Sequence, residues 1–151
     1  MPTHYPGSSA EKRTLDTYIK LMRCLNSLQS RLSERNSIGE LTPSQFAVLE
    51  SLYHLGSMTQ GEVGAKILKS GSNITTVIDN LERDGLVLRE RDKKDRRVIY
   101  VDLTDAGRQR LEAVLPGHIA ALVDEFSILS ETEQVTLAGL CKKLGRGRAA
   151  A

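Results

Sequence analysis

Tryptophan is absent from this 151-residue chain, and there are only two phenylalanines and four tyrosines. A core built on large aromatics is therefore excluded, and Leu, Val and Ile must carry it. Hydrophobic residues still make up 40% of the chain, too many for a disordered sequence. Cysteine is scarce too. Cys24 and Cys141 stand far apart with no metal-ligand spacing, so they do not read as a disulfide framework. No apolar run reaches membrane-spanning length, and the opening MPTHYPGSS has no apolar stretch of an export signal. The expected setting is the reducing cytoplasm, without membrane contact. Catalytic signatures are missing as well: there is no Walker loop, dinucleotide-binding glycine pattern, Gly-x-Ser-x-Gly elbow or metal-protease motif. The carboxylates fall at helix caps and on solvated faces. No catalytic residue is assigned, and an enzyme is not expected. Three scattered histidines without a close Cys or carboxylate pair make no metal site, and no cofactor is expected.

What is present is an uneven charge distribution. The net charge is only +2, yet seven of the 21 basic residues lie between Arg83 and Arg97. They are Arg83, Arg89, Arg91, Lys93, Lys94, Arg96 and Arg97, interleaved with Asp84, Glu90, Asp92 and Asp95. From Thr104 to Ala138 acids dominate instead. A basic centre beside an acidic flank points to one surface for a polyanion and another for a different partner.

The periodicity predicts a mainly α protein with a small antiparallel β-wing. Residues 1–10 read as a flexible arm. From about Glu11 to Asn36, Leu15, Tyr18, Met22, Leu25, Leu28 and Leu32 recur in steps of three and four, which marks a helical stripe. That helix is long for so small a chain, and its stripe asks for a partner. Thr42-Pro43-Ser44-Gln45 restarts the pattern with a cap, a first-turn proline and a capping-box glutamine. Thr59 and Glu62 form a second capping box, opening a short helix with Val63, Ile67 and Leu68 inward. After a turn at Gly71, a helix from about Ser72 to Asp84 buries Ile74, Val77, Ile78 and Leu81 and ends at Gly85.

The period then changes to that of strands. Leu86–Arg91 and Arg97–Leu103 flank a charged tip, so they predict a hairpin. Thr104-Asp105 caps another helix, in which Pro116-Gly117 should introduce a kink. Ser130 and Glu133 box the start of a last helix, which carries Val135, Leu140 and Leu144 and ends at Gly145. The expected domains are a winged helix-turn-helix over 41–103, a helical dimerisation region from 11–38 with 104–146, and a frayed tail over 147–151.

Short helix, turn, short helix and hairpin is the order that suits duplex DNA, because the major groove admits one helix whose outer face reads base edges. With the apolar residues of the 72–84 helix turned inward, Ser72, Asn73, Thr75, Thr76, Asp79 and Arg83 are left for the other face. An ordinary amphipathic surface helix would look the same. A hairpin tip with Lys93, Lys94, Arg96 and Arg97 beside it is what favours DNA, since such a wing can reach the minor groove. Surface charge protecting a strand edge is the alternative for the tip alone. A helical interaction module with a degenerate winged fold would have no reason to keep Arg97 beside four other basic residues.

From about Leu41 to Gly107 the sequence resembles the MarR family of bacterial transcriptional regulators. The likeness rests on Leu41–Phe46, Asn73-Ile74-Thr75, Leu81–Val87, Asp95-Arg96-Arg97 and Leu103-Thr104-Asp105-Ala106-Gly107. The resemblance implies a homodimer whose two winged lobes meet a pseudopalindromic duplex, most often as a repressor. It implies that Asp95 organises the wing and that Arg97 enters the minor groove. It also implies release from DNA by a small phenolic or aromatic ligand, or by cysteine oxidation. The stretches Asn73–Glu82 and Asp124–Ser127 resemble the branch that responds to quinones and catechols. Cys24, with Lys20 and Arg23 nearby, is the redox candidate, and a buried apolar role is its alternative. Cys141 reads as structural. His54 and His118 are candidates for ligand contact, with helix-end or surface roles as the alternative.

Overall fold

The structure, a computed structural model, describes residues 4–67 and 71–148, with Gly71 and Ser72 described by their backbone alone. The elements run α1 (Ser9–Glu34), α2 (Pro43–Leu55), β1 (Met58–Thr59), α3 (Gln60–Ile67), α4 (Gly71–Arg83), β2 (Val87–Arg91), β3 (Ile99–Leu103), α5 (Asp105–Phe126) and α6 (Glu131–Arg146). The fold is mainly α with a small antiparallel wing. It divides into two compact units, one over Asn36–His118 and the other from Arg35 backward together with Ile119 onward.

The Asn36–His118 unit has its own core. Val48, Leu49, Val63, Ile78, Leu81, Val101 and Leu111 are all inaccessible, and Phe46, Leu52, Ile74 and Val87 join them. These side chains come from four helices and two strands, so one largely aliphatic core is shared by all six elements. Local chemistry starts and stops each helix. Thr42 and Gln45 close a capping box on α2, with Pro43 in its first turn. The amide of Thr59 donates to Glu62 and that of Glu62 to Thr59 Oγ1, which opens α3 the same way. α4 ends in a Schellman motif: Leu86 N–H donates to Leu81 O and Gly85 N–H to Glu82 O, with Gly85 at φ 73°. Gly71 is the first residue of α4 rather than part of a turn before it. Leu68, expected inward, lies outside the described residues.

The wing belongs to a three-stranded sheet of order β1-β3-β2. β2 and β3 pair from Val87 opposite Leu103 to Arg91 opposite Ile99. β1 adds Met58 opposite Val101. A strand of two residues has no period to detect, and the sequence offers no sign of it.

The base of the hairpin is tied to α5 at one point. The amide of Thr104 donates to Leu86 O at 3.2 Å, and its hydroxyl donates to Gly85 O at 2.6 Å. The same hydroxyl accepts the Gly107 amide at 3.0 Å, capping α5. A Cβ on Gly107 would stand 2.0 Å from Leu86 O, so the close approach requires glycine here. α5 runs from Asp105 to Phe126 with Pro116 inside it.

In the other unit α1 starts at Ser9, inside the stretch read as an arm. The reason is a capping box that the sequence reading passed over: Ser8 N–H donates to Glu11 Oε2 at 2.7 Å and Glu11 N–H to Ser8 Oγ at 3.3 Å. These bonds hold the Glu11 carboxyl below its ordinary value. Arg31 of α1 and Arg35, its C-cap, hold Asp124 and Glu125 of α5 at 2.5–2.9 Å. The hydrogen bond to Asp124 raises the Arg35 pKa further. α6 ends at Arg146 with Gly147 as its cap at φ 65°, two residues later than the expected Gly145. Neither α1 nor α6 contains a buried residue. Val135, Leu140 and Leu144 are all more than half exposed within the single chain. No single helix among the described residues is long and apolar enough to cross a membrane.

Gly107→Ala should lower stability by about 1–3 kcal/mol, as expected when extra volume meets backbone. Alanine's helix propensity gains only roughly 1 kcal/mol against this. Urea denaturation reads the difference, and an unchanged or higher midpoint would disprove the tight junction.

Candidate nucleic-acid interface

α4 presents two faces. Ile74, Ile78 and Leu81 pack into the core, while Asn73, Thr75, Thr76, Asp79, Glu82 and Arg83 stand exposed. The side chain of Ser72 lies outside the described residues. Thr75 accepts from Gln60 Nε2 at 2.9 Å, which links the first residue of α3 to the exposed face of α4. Arg83 is 72% exposed and meets Asp84 only at 3.5 Å.

The wing tip is organised by its two aspartates. Asp92 Oδ1 accepts the Lys94 amide at 2.6 Å, and the Asp92 amide donates to Val98 O. Asp95 Oδ1 accepts both the backbone amide and the Nε of Arg97 at 3.1 Å. Asp95 Oδ2 accepts Arg97 Nη2 at 3.3 Å. The pair is therefore bidentate, which fixes the plane of the guanidinium as well as its position. Yet the Arg97 side chain is 92% exposed, so a positioned cation is displayed to solvent. Lys93, Lys94 and Arg96 are exposed around it.

Two members of the basic cluster are used differently. Arg91 Nη1 donates to Arg96 O at 3.0 Å, bracing the tip from within. Arg89 is turned toward α4 and only 19% exposed, with Asp79 at 2.6 Å and Glu82 at 3.2 Å. The sequence reading grouped both with the surface cations. A signal was available: Arg89 shares strand parity with the buried Val87, so it faces inward.

The remaining candidates are dispersed. His54 is exposed in the last turn of α2, edge-on to the Tyr53 ring at 5.2 Å. His118 is half-buried, with Nδ1 3.0 Å from Ser37 Oγ and its ring 4.7 Å from that of Phe46. Cys24 belongs to the other unit and is exposed on α1, so it is not the buried apolar residue of the alternative reading. Cys141 is also exposed. A mainly apolar open groove of about 600 Å³ is lined by Tyr5, Ala10, Glu11, Thr14, Leu15 and Tyr18, none of which was singled out for ligand contact. Among the described residues no three His, Cys, Asp or Glu side chains are grouped to hold a metal ion.

The model of the MarR family matches residues 41–99, which span α2 to the start of β3. The chain is also 37% identical over 134 residues to the HTH-type transcriptional regulator YkoM of Bacillus subtilis, covering 89% of this chain and 87% of that protein. The chain belongs to the MarR family. Among solved structures, a probable transcriptional regulator from Pseudomonas aeruginosa superposes with a TM-score of 0.73 at 34% identity, covering 86% of this chain and 98% of that one. BpsR of Bordetella bronchiseptica, whose DNA binding is regulated by 6-hydroxynicotinic acid, gives a TM-score of 0.73 at 25% identity. It covers 83% of this chain and 98% of its own. This MarR-family chain is thus a DNA-binding transcriptional regulator and not an enzyme.

The bonds from Arg97 hold the Asp95 carboxyl below its ordinary 3.8, the side-chain bond being the largest cause and the amide the second. A depressed folded value means the pair's contribution is complete above the ordinary value. It is lost only as pH falls through the depressed one. A carboxyl-detected NMR titration should place the Asp95 midpoint below 3.8, and Arg97→Gln should move it upward. An Asp95 midpoint unaffected by Arg97→Gln would show that the pair does not form in solution.

Proposed function

We propose that this protein is a homodimeric repressor that binds a pseudopalindromic operator in the cytoplasm and releases it when a small hydroxylated aromatic ligand binds. The carrying observation is the wing tip, where Asp95 orients an Arg97 that remains almost fully exposed. An acid inside a DNA-facing patch is unfavourable as a direct contact and useful as a clamp on the arginine that makes one. In this reading Ser72, Asn73, Thr75, Thr76 and Arg83 of α4 meet the major groove. Arg97 enters the adjacent minor groove, where a narrow groove's potential favours arginine. Lys93, Lys94 and Arg96 meet the phosphates.

The exposed apolar side chains of the α1/α6 unit support the homodimer. Tyr18, Met22, Leu25, Leu140 and Leu144 are each between 39% and 68% exposed in one chain. Twofold symmetry would bury such a surface and present two reading heads to one duplex. Regulation of BpsR by 6-hydroxynicotinic acid supports an aromatic effector for this chain, and His54 and His118 are its proposed contacts. The exposure of Cys24 supports a second reading, release by thiol oxidation.

Fluorescence anisotropy with the duplex upstream of the gene should show binding by two chains per site and a steep log-log salt dependence. Arg97→Ala should weaken it by about 1–3 kcal/mol. Salt-insensitive or absent binding would exclude the operator reading.

The signal is read separately. A thermal-shift screen with 6-hydroxynicotinic acid and catechol should raise Tm, and the same compounds should lower DNA affinity. A ligand at one hundred times its Kd stabilises by about 2.7 kcal/mol. If only peroxide releases DNA, and Cys24→Ser abolishes that release, the thiol reading replaces the ligand reading.

A further inference from the structure

Asp79 and Glu82 are a peculiar presence on a helix that reads DNA. They lie three residues apart on one exposed row of α4 and follow Thr75 in the same row. Left unneutralised, two carboxylates there would repel the phosphate backbone. The strand beside them supplies one compensating group. Arg89 of β2 reaches Asp79 Oδ1 with Nη2 at 2.6 Å and Glu82 Oε1 with Nη1 at 3.2 Å. Asp79 and Glu82 remain 56% and 43% exposed, whereas Arg89 is 19% exposed. The acids thus face solvent while the cation sits behind them.

Resting on the operator reading above, we infer that Arg89 is a positioning residue for DNA recognition that acts through Asp79 and Glu82, not by touching DNA. It cancels the two acids on the reading helix and pins α4 to the first wing strand. Its burial has a cost. Among the described residues Arg89 Nε is the one buried side-chain donor or acceptor without a hydrogen-bond partner. A desolvated donor left unpaired lowers stability, so packing alone does not account for an arginine at this strand position. An apolar residue of Val87's parity would fill the site without that cost.

The test uses the full-length protein and the same upstream duplex. Arg89→Met keeps the length of the side chain and removes its charge. It should bind DNA about tenfold more weakly, since like-charge juxtaposition at an interface is costly and tenfold corresponds to about 1.4 kcal/mol. Far-UV circular dichroism checks that the variant is folded. The triple variant Asp79→Asn, Glu82→Gln, Arg89→Met removes the repulsion together with its remedy, and should recover most of the lost affinity. Arg89→Lys should recover part of it. A folded Arg89→Met that binds like wild type overturns the inference. So does a triple variant as weak as Arg89→Met, with a salt slope lower by about 0.9, which is the mark of a lost phosphate contact. Failure of the wild type to bind the duplex would instead bring down the operator reading itself.

Discussion

The wing is held in place by a junction of four residues, Gly85, Leu86, Thr104 and Gly107. Thr104 joins the strand pair to α4's end through Gly85 O and Leu86 O, and its hydroxyl caps α5 through the Gly107 amide. Gly107 has no Cβ, so Leu86 O can approach the helix backbone closely enough for these bonds to form. The end of the reading helix, the base of the hairpin and the start of α5 thereby share one anchor. Without it the hairpin would rest on its pairing with the two-residue β1 and on its core contacts alone. With it, the tip inherits the rigidity of a core in which Leu81, Val87, Val101 and Leu111 are inaccessible.

The two units meet different physical demands. The Asn36–His118 unit satisfies its apolar residues internally, and its exposed surface is mostly polar. The other unit does not. Its helices carry leucines, valines and a methionine into solvent, and its internal ties are ion pairs among Arg31, Arg35, Asp124 and Glu125. Asp124 is exposed, whereas the Glu125 side chain is only 7% exposed, so its pairs with Arg31 and Arg35 are partly shielded from water. An apolar surface of that kind supports the homodimer proposed above.

Within the reading head, charge is divided by position along the strand. Arg97 lies past the last paired residues and is free to project, clamped by Asp95. Arg91 braces a backbone carbonyl. Arg89 sits two residues from Val87 on the same side of β2 and turns to the helix. Seven basic residues in one stretch are therefore not seven equivalent contacts with a polyanion.

Caps, turns and apolar periodicity are local, and the sequence alone carries them: Thr42 with Gln45, Thr59 with Glu62, Ser130 with Glu133 and Gly85 after α4 all act within a few residues. The Asp95–Arg97 pair also spans only two residues, and the family resemblance pointed to it. Ser8 with Glu11 was equally local, and the prolines and glycine before it hid it. The third strand and the fit of Gly107 against Leu86 were not legible, and strand parity gave the inward side of Arg89 but not the acids it meets. Each depends on a partner that the chain brings close only after folding: Met58 with Val101, Arg89 with Asp79, Gly107 with a carbonyl 21 residues earlier. Periodicity marks Val135, Leu140 and Leu144 as an apolar face, and it cannot say whether that face meets its own chain. The tertiary structure leaves them exposed, because α6 finds no core of its own to cover them.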